Sequence, residues 1–117
     1  ITLCGNEKKV RLLCDSGNLL RDPYNGNSVI ILSGRVFPDI TEKLKDSDLI
    51  PLSAAKPRII PASFAGGTGI LYGLVPEKVS LKAAGGTYIP IEATVALAQT
   101  DSDFGGNDGI IPASLVI

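Results

Sequence analysis

Short apolar runs separated by turn residues dominate the hydrophobic pattern of this chain. Thirteen glycines and eight prolines are spread over the 117 residues and divide the chain into many short segments. Apolar and polar residues alternate over residues 78–83, which is typical of a strand with one buried face. The alternation resumes over residues 89–97. The pattern predicts a mostly β, barrel-like domain with one or two short helices.

Turn residues place the individual elements. The predicted strands are Thr2–Cys4 and Lys9–Cys14 around a turn at Gly5–Lys8, Ser28–Leu32, and Ile110–Ile111. A long hairpin is predicted to join Ile59–Ile60 to Ile70–Leu74 through a flexible, glycine-rich tip. A short helix is predicted to start with Asp39 as its cap and Glu42 in the capping-box position, and to end near residues 46–48. Pro112 is predicted to be the first residue of a closing helical turn.

Composition excludes several kinds of chemistry. The chain has no histidine, which excludes Ser-His-Asp triads, Cys-His dyads and histidine-ligated zinc within it. Two cysteines are too few for a Cys-only zinc site. The net charge of −1 gives no basic footprint for nucleic acid. We therefore expect no metal, no cofactor and no nucleic-acid partner.

The length of 117 residues predicts one domain, spanning residues 1–117. The chain begins at Ile1 and contains no methionine, so we expect a piece of a longer protein or a processed product. No apolar window is long enough for a membrane helix and no signal peptide is present, which predicts a soluble fragment whose parent can carry spans upstream. Cys4 and Cys14 either bridge across a hairpin or, the reading we favour, stay reduced as two small buried thiols.

The stretch Leu12–Asn18 carries the candidate chemistry. Asp15 directly follows an apolar strand, and Ser16 and Gly17 follow it. A carboxylate at the end of a buried strand is costly unless it is stabilised. Gly17 allows a sharp turn, and the Ser16 hydroxyl can bond to nearby main-chain groups. This arrangement suits an aspartic peptidase loop, in which two carboxylates share one proton and hold one water. The tripeptide alone also fits an ordinary Asx turn that closes a strand.

Other motifs are weaker. The run Gly66–Gly69 lacks the Lys-Ser/Thr of a phosphate-binding loop. The run Asp101–Asp108 lacks the glutamate of a calcium loop and is expected to be a solvated surface loop. Asp22 is expected to be structural and to start a turn before Pro23.

The wider context resembles a known family. The run Asp15–Pro23 followed by Val29–Ile31 resembles the sporulation sigma-E factor processing peptidases, in which Asp-Ser/Thr-Gly-Asn precedes a leucine, Asp-Pro and a valine-led strand. Residues 58–76 also look like the middle segment of that family. The resemblance covers almost the whole chain, and residues 15–23 are its specific part.

The resemblance implies a retroviral-like aspartic peptidase domain, a small closed or nearly closed β-barrel that is active as a homodimer. It implies that Asp15 of each copy forms the catalytic dyad, that Ser16 bonds across the dimer axis, and that Gly17 permits the close approach of the two loops. The implied substrate flap consists of Ala65, Gly66, Gly67, Thr68 and Gly69. Retroviral-like domains also carry a glycine after two apolar residues near their C-terminus, and Pro112 stands at that position here.

The same resemblance implies the partners. The substrate is a sporulation sigma-factor precursor, which loses an inhibitory N-terminal segment. The parent is bound to the cell membrane of a spore-forming bacterium, presents this domain on the cytoplasmic face, and is activated by a signalling protein. The alternative is a non-catalytic β-domain of the same ancestry that serves as a dimerisation or docking module.

Overall fold

The computed structural model describes residues 1–64, 67–83, 85–98 and 104–116, without the side chains of residues 63, 64, 67 and 68. These residues form ten strands. The strands are β1 (Thr2–Leu3), β2 (Asn6–Glu7), β3 (Leu12–Asp15), β4 (Val29–Leu32), β5 (Arg58–Phe64), β6 (Gly67–Leu74), β7 (Ser80–Leu81), β8 (Ile89–Pro90), β9 (Thr94–Leu97) and β10 (Gly109–Pro112). The helices are α1 (Pro38–Lys45) and two 3₁₀ segments, Ile50–Ala55 and Ala113–Leu115. The mostly β prediction with short helices is confirmed.

Six strands form the principal sheet in the order β3-β10-β4-β9-β6-β5. β10 lies between β3 and β4, parallel to β3 and antiparallel to β4. β4 and β9 are parallel, whereas β6 is antiparallel to both β9 and β5. The pairs β1-β2 and β7-β8 form separate two-stranded sheets. Among the described strands the sheet ends at β3 and β5 and does not close, so the predicted barrel is not confirmed.

The core lies on both faces of the sheet. β4 and β9 are buried at every position, and all their residues except Thr94 are apolar. Ile30 and Leu32 pack in the larger cluster with α1 and the small hairpins, whereas Val29 and Ile31 pack in a smaller cluster with Ile60. Successive residues of β4 therefore serve opposite faces, as the pleat of a strand requires.

Gly109 permits the close approach of β10 to β4. A Cβ atom at this position would overlap the carbonyl oxygen of Ile31. Since Gly109 pairs with both Leu12 and Leu32, it holds β10 against its two neighbours. The position of β3, which carries Asp15, therefore depends on a residue without a side chain.

The start of the chain differs from the predicted pairing. β1 pairs with β2, and the turn between them is at Cys4 and Gly5, which both have positive φ. This two-residue turn brings Asn6 next to Leu3, so Lys9–Cys14 does not pair with the first strand. The prediction of two buried thiols is also wrong, because Cys14 is exposed and Cys4 is half-buried; both are free.

The helix begins one residue earlier than its predicted cap. Phe37 is the N-cap residue and makes no side-chain capping bond, while Pro38 is the first helical residue. Proline favours this position because its φ is already helical and it has no N–H to leave unpaired. Asp39 is therefore not the cap. The helix ends at Lys45, one residue before the predicted end near residues 46–48, and Asp46 is its C-cap.

The predicted long hairpin is confirmed as β5 and β6, which pair from Arg58–Gly73 to Phe64–Gly67. Gly67, Thr68 and Gly69 belong to β6 and not to the tip. Ala65 and Gly66 lie outside the described residues, as do residues 101–103 of the acidic loop. In the described parts of the chain, no helix is both long and apolar enough to span a membrane.

Candidate active site

Asp15 is the last residue of β3 and is half-buried. The Gly17 N–H donates to its Oδ1 at 2.9 Å, and the Asn18 N–H donates to its carbonyl oxygen at 3.2 Å. These bonds form a tight turn directly after the strand. One carboxylate oxygen is oriented by a backbone donor, and Oδ2 accepts no hydrogen bond from any described residue.

Gly17 leaves room for this carboxylate. A Cβ at position 17 would lie 3.3 Å from Asp15 Oδ1, tighter than ordinary van der Waals contact. The Ser16 side chain between them is exposed, and its hydroxyl has no hydrogen-bond partner among the described residues. The structure therefore brings Asp15, Ser16 and Gly17 together in one turn, with the Ser16 hydroxyl directed to the surface.

The hairpin predicted as the flap is not next to Asp15 in the sheet. β3 is one edge of the principal sheet and β5 is the other, and three strands separate β3 from β6. Strand pairing therefore does not bring Gly67, Thr68 or Gly69 to Asp15 within one copy.

Asn18 connects the Asp15 turn to the centre of the sheet. Its side chain is buried, Nδ2 donates to the Val29 carbonyl at 3.1 Å, and Oδ1 accepts from the Leu20 N–H at 3.2 Å. Neither composition nor spacing indicated a role for Asn18. The one indication in the sequence was that Asn18 lies within residues 15–23, the specific part of the family resemblance. A buried side-chain amide is stable only when its oxygen and its nitrogen both have hydrogen-bond partners.

Asp22, seven residues after Asp15, is the centre of a buried polar cluster. Its Oδ2 accepts from Arg58 Nη1 at 2.7 Å and from Thr94 Oγ1 at 2.5 Å. Its Oδ1 accepts from the Tyr24 N–H at 2.8 Å, which forms the predicted turn around Pro23. Arg58 also stacks over the Tyr24 ring at 4.9 Å from the centroid. We call Asp22, Arg58 and Thr94 the Asp22 junction.

The pKa of Asp22 lies below its ordinary value of 3.8. Burial acts to raise it, but hydrogen bonds from Thr94, the Tyr24 N–H and Arg58, together with the Arg58 charge, outweigh burial. The carboxylate is therefore ionised at neutral pH although its side chain is fully buried. A group held in one protonation state by its partners suits a structural role better than proton transfer.

A groove of about 510 Å³ lies on the other face of β3. Leu12 and Cys14 line it, whereas Leu13 and Asp15 do not. Side chains alternate along a strand, so Asp15 is directed away from this groove. Leu13 shares the Asp15 face and is 48% exposed. Among the described strands, Asp15 therefore lies on an edge strand of the sheet, with the half-exposed Leu13 on the same face.

Comparison with known proteins gives one finding. The family model Peptidase U4, described as sporulation factor SpoIIGA, matches residues 1–106. The match covers most of the chain, so the chain belongs to this family, and the resemblance to the sporulation sigma-E processing peptidases is confirmed. The family is one of peptidases that take part in sporulation. No curated protein and no solved structure shows a significant match.

Proposed function

From membership in the Peptidase U4 family, we propose that this chain is an aspartic endopeptidase domain that is active as a homodimer. The observation that carries the proposal is the Asp15 turn. A half-buried carboxylate ends an apolar strand, is oriented by the Gly17 N–H at 2.9 Å, and keeps its other oxygen free of partners among the described residues. Each chain has one such turn, so two copies supply the two carboxylates that the reaction needs.

The chemistry follows from two adjacent carboxylates that share one proton and hold one water molecule. The ionised Asp15 takes a proton from the water as the water oxygen bonds to the peptide carbonyl carbon, and the protonated Asp15 gives its proton to the carbonyl oxygen. The tetrahedral intermediate then breaks at the C–N bond. The nitrogen leaves with a proton from the carboxyl that took one from water. As the new carboxyl group forms, one hydroxyl proton of the intermediate returns to the other Asp15, which restores the shared proton, and both products are released.

The surrounding residues take supporting roles. The Ser16 hydroxyl bonds across the dimer axis and links the two turns, and Gly17 lets the turns approach because it has no side chain beside the carboxylate. The β5–β6 hairpin, whose strand β6 contains Gly67, Thr68 and Gly69, covers the bound peptide as the substrate flap. Because three strands separate this hairpin from β3, the flap reaches the dyad by curvature of the sheet or from the other copy.

The substrate proposed is a sporulation sigma-factor precursor, which is activated by removal of its N-terminal segment. Residues 1–117 act as a single retropepsin-like domain of a longer parent. That parent is held in the membrane of a spore-forming bacterium, with this domain on the cytoplasmic face, and a signalling protein activates it. A peptidase of a sporulation family needs such control because premature cleavage would start the developmental programme too early.

A second candidate is a non-catalytic docking module. The open edge of β3 and the half-exposed Leu13 favour it, since an unpaired strand edge pairs readily with another chain. In that case Asp15 closes the strand with an ordinary Asx turn and takes no part in proton transfer.

One experiment separates the two candidates. The full-length parent is co-expressed with the sigma-factor precursor, as wild type, as Asp15→Asn, and as Asp39→Asn, an exposed helical carboxylate that serves as the matched control. We expect Asp15→Asn to abolish cleavage without loss of folded protein, and Asp39→Asn to cleave normally. Excess Asp15→Asn protein should also suppress the wild type, because mixed dimers lack one carboxylate. Near-normal cleavage by Asp15→Asn would replace the peptidase mechanism with the docking module.

A further inference from the structure

The Asp22 junction joins three parts of the fold that are distant in sequence. Asp22 lies in the loop that follows the Asp15 turn, Arg58 is the first residue of β5, and Thr94 is the first residue of β9. The separations are 36 residues between Arg58 and Asp22 and 72 residues between Thr94 and Asp22. The three side chains are almost completely buried, at 0% for Asp22 and 10% for Arg58, and Thr94 is inaccessible.

Arg58 is held in place from several directions. Its Nε donates to the Lys56 carbonyl at 2.9 Å while Nη1 bonds Asp22. Gly73, its partner on β6, has no side chain, and a Cβ there would lie 3.3 Å from Arg58 Cγ. The arginine therefore lies across the base of the β5–β6 hairpin, in space that Gly73 leaves open.

The loop of residues 22–27, on the Asp22 side of the junction, is also held by hydrogen bonds. The Asp22 N–H donates to the Asn27 carbonyl and the Gly26 N–H donates to the Asp22 carbonyl, each at 2.8 Å. Asn18 fixes the beginning of the same loop to β4 through Val29. A displacement of Asp22 therefore reaches the Asp15 turn through a short, hydrogen-bonded segment.

We propose that the Asp22 junction sets the position of the β5–β6 hairpin relative to the loop that carries Asp15, so that Asp22, Arg58 and Thr94 are positioning residues for peptide cleavage. The inference rests on the proposed function. A buried, charged junction serves this purpose because its hydrogen bonds accept one geometry only, whereas an apolar contact tolerates sliding.

The test uses Thr94, because two substitutions separate its hydroxyl from its shape. Thr94→Val removes the donor to Asp22 and keeps the branched side chain, whereas Thr94→Ser keeps the donor. Thr41→Val is the matched control, since Thr41 is also buried and its hydroxyl donates to the Gly34 carbonyl at 2.8 Å, on α1 and away from the junction. Arg58→Lys is a second test of the junction, because lysine keeps the positive charge but lacks the planar guanidinium group and its several N–H donors.

Two measurements are made on the full-length parent. In the cleavage assay, we expect Thr94→Val and Arg58→Lys to lower kcat/KM about tenfold, mainly by raising KM, because a displaced hairpin binds the peptide less well. Thr94→Ser and Thr41→Val should both have the KM of the wild type. In hydrogen exchange, the amides of residues 58–60, 62 and 69–74 should exchange faster in Thr94→Val than in Thr41→Val when the two variants have the same global stability.

The outcomes distinguish this inference from the proposed function. If Thr94→Val changes KM and hairpin exchange no more than Thr41→Val does, the junction is merely structural and the inference is wrong. The exchange measurement needs no activity, so it judges the junction even if Asp15→Asn shows that the chain is not a peptidase. Faster hairpin exchange without a change in KM would mean that the hairpin does not contact the substrate, which also overturns the inference.

Discussion

Two aspartates seven residues apart have opposite surroundings in this chain. Asp15 is half-buried and has one backbone donor on its carboxylate, whereas Asp22 is fully buried and has three donors. The sequence alone predicted the Asp15 turn, because strand, Ser and Gly are its immediate neighbours. It predicted the Asp22 turn but not the junction, since Arg58 and Thr94 are far away along the chain and nothing local indicates them.

Asp22→Asn is expected to destabilise the domain by about 3 kcal/mol, because it leaves the Arg58 guanidinium buried without its counter-charge. Denaturant unfolding measures this loss. Asp15→Asn, at a half-exposed position, is expected to change stability by less than about 1 kcal/mol. Equal losses for the two variants would show that the Asp22 junction contributes little to the fold.

The stability contributed by Asp22 is expected to depend on pH. Its pKa in the folded protein is below the ordinary 3.8, so its contribution is fully present above pH 3.8 and is lost as the pH falls through the folded pKa. The difference in unfolding free energy between wild type and Asp22→Asn should therefore be constant near neutral pH and shrink below pH 3.8. A difference that stays constant down to pH 2 would contradict the ion pair.

Gly17→Ala is expected to impair catalysis more than folding. The added Cβ would lie 3.3 Å from Asp15 Oδ1 and would displace the carboxylate by a few tenths of an ångström. Misplacement of a reacting group is costly, so we expect the cleavage rate to fall about tenfold or more while the melting temperature changes little. Gly26→Ala, in the neighbouring loop, is the comparison for Gly17→Ala. A Cβ at position 26 meets no atom within 4 Å, but the positive φ of Gly26 predicts a loss of stability without a specific loss of cleavage rate.

At the level of elements, the sequence predicts the pairing of strands that are adjacent along the chain, but not the pairing of strands that are distant along it. The β5–β6 hairpin, whose strands are adjacent in sequence, was predicted with its pairing. The pairing of Thr2–Cys4 with Lys9–Cys14 was wrong, because β3 instead pairs with β10 at the far end of the chain. Alternation identifies a strand, but it does not identify its partner.

The contact between β10 and β4 gives a prediction at this scale. Gly109→Ala is expected to destabilise the domain by about 3 kcal/mol, because its Cβ would overlap the backbone of Ile31, which cannot move without separating two strands. Gly73→Ala is the comparison, at about 1 kcal/mol, because its Cβ would meet side-chain atoms of Ile60 and Arg58, which shift more readily than backbone does. Thermal unfolding compares the stability losses of the two variants. A larger loss for Gly73→Ala than for Gly109→Ala would contradict the assignment of Gly109 as the tighter contact.

For the whole molecule, the proposed dimer depends on more than the sheet edge at β3. The exposed apolar surface beside Asp15 includes Leu13 and the strongly exposed Leu19, which is little for a stable interface. We expect residues 1–117 alone to be monomeric or weakly dimeric at micromolar concentration. If the proposed parent is held in a membrane, its raised local concentration should favour the dimer. Sedimentation of the isolated domain tests this; a tight dimer would contradict the weak association and would strengthen the two-carboxylate mechanism.

The parallel pairing of β3 with β10 has a consequence for biosynthesis. The Arg11 N–H beside β3 bonds the Asp108 carboxylate, 97 residues further along the chain, and β10 follows immediately. Contacts between such distant residues form late in folding, because a long loop must close first. A ribosome-bound chain that has not yet exposed Gly109–Pro112 has no strand to support Asp15. We therefore expect the Asp15 turn to reach its native position only after β10 has been synthesised.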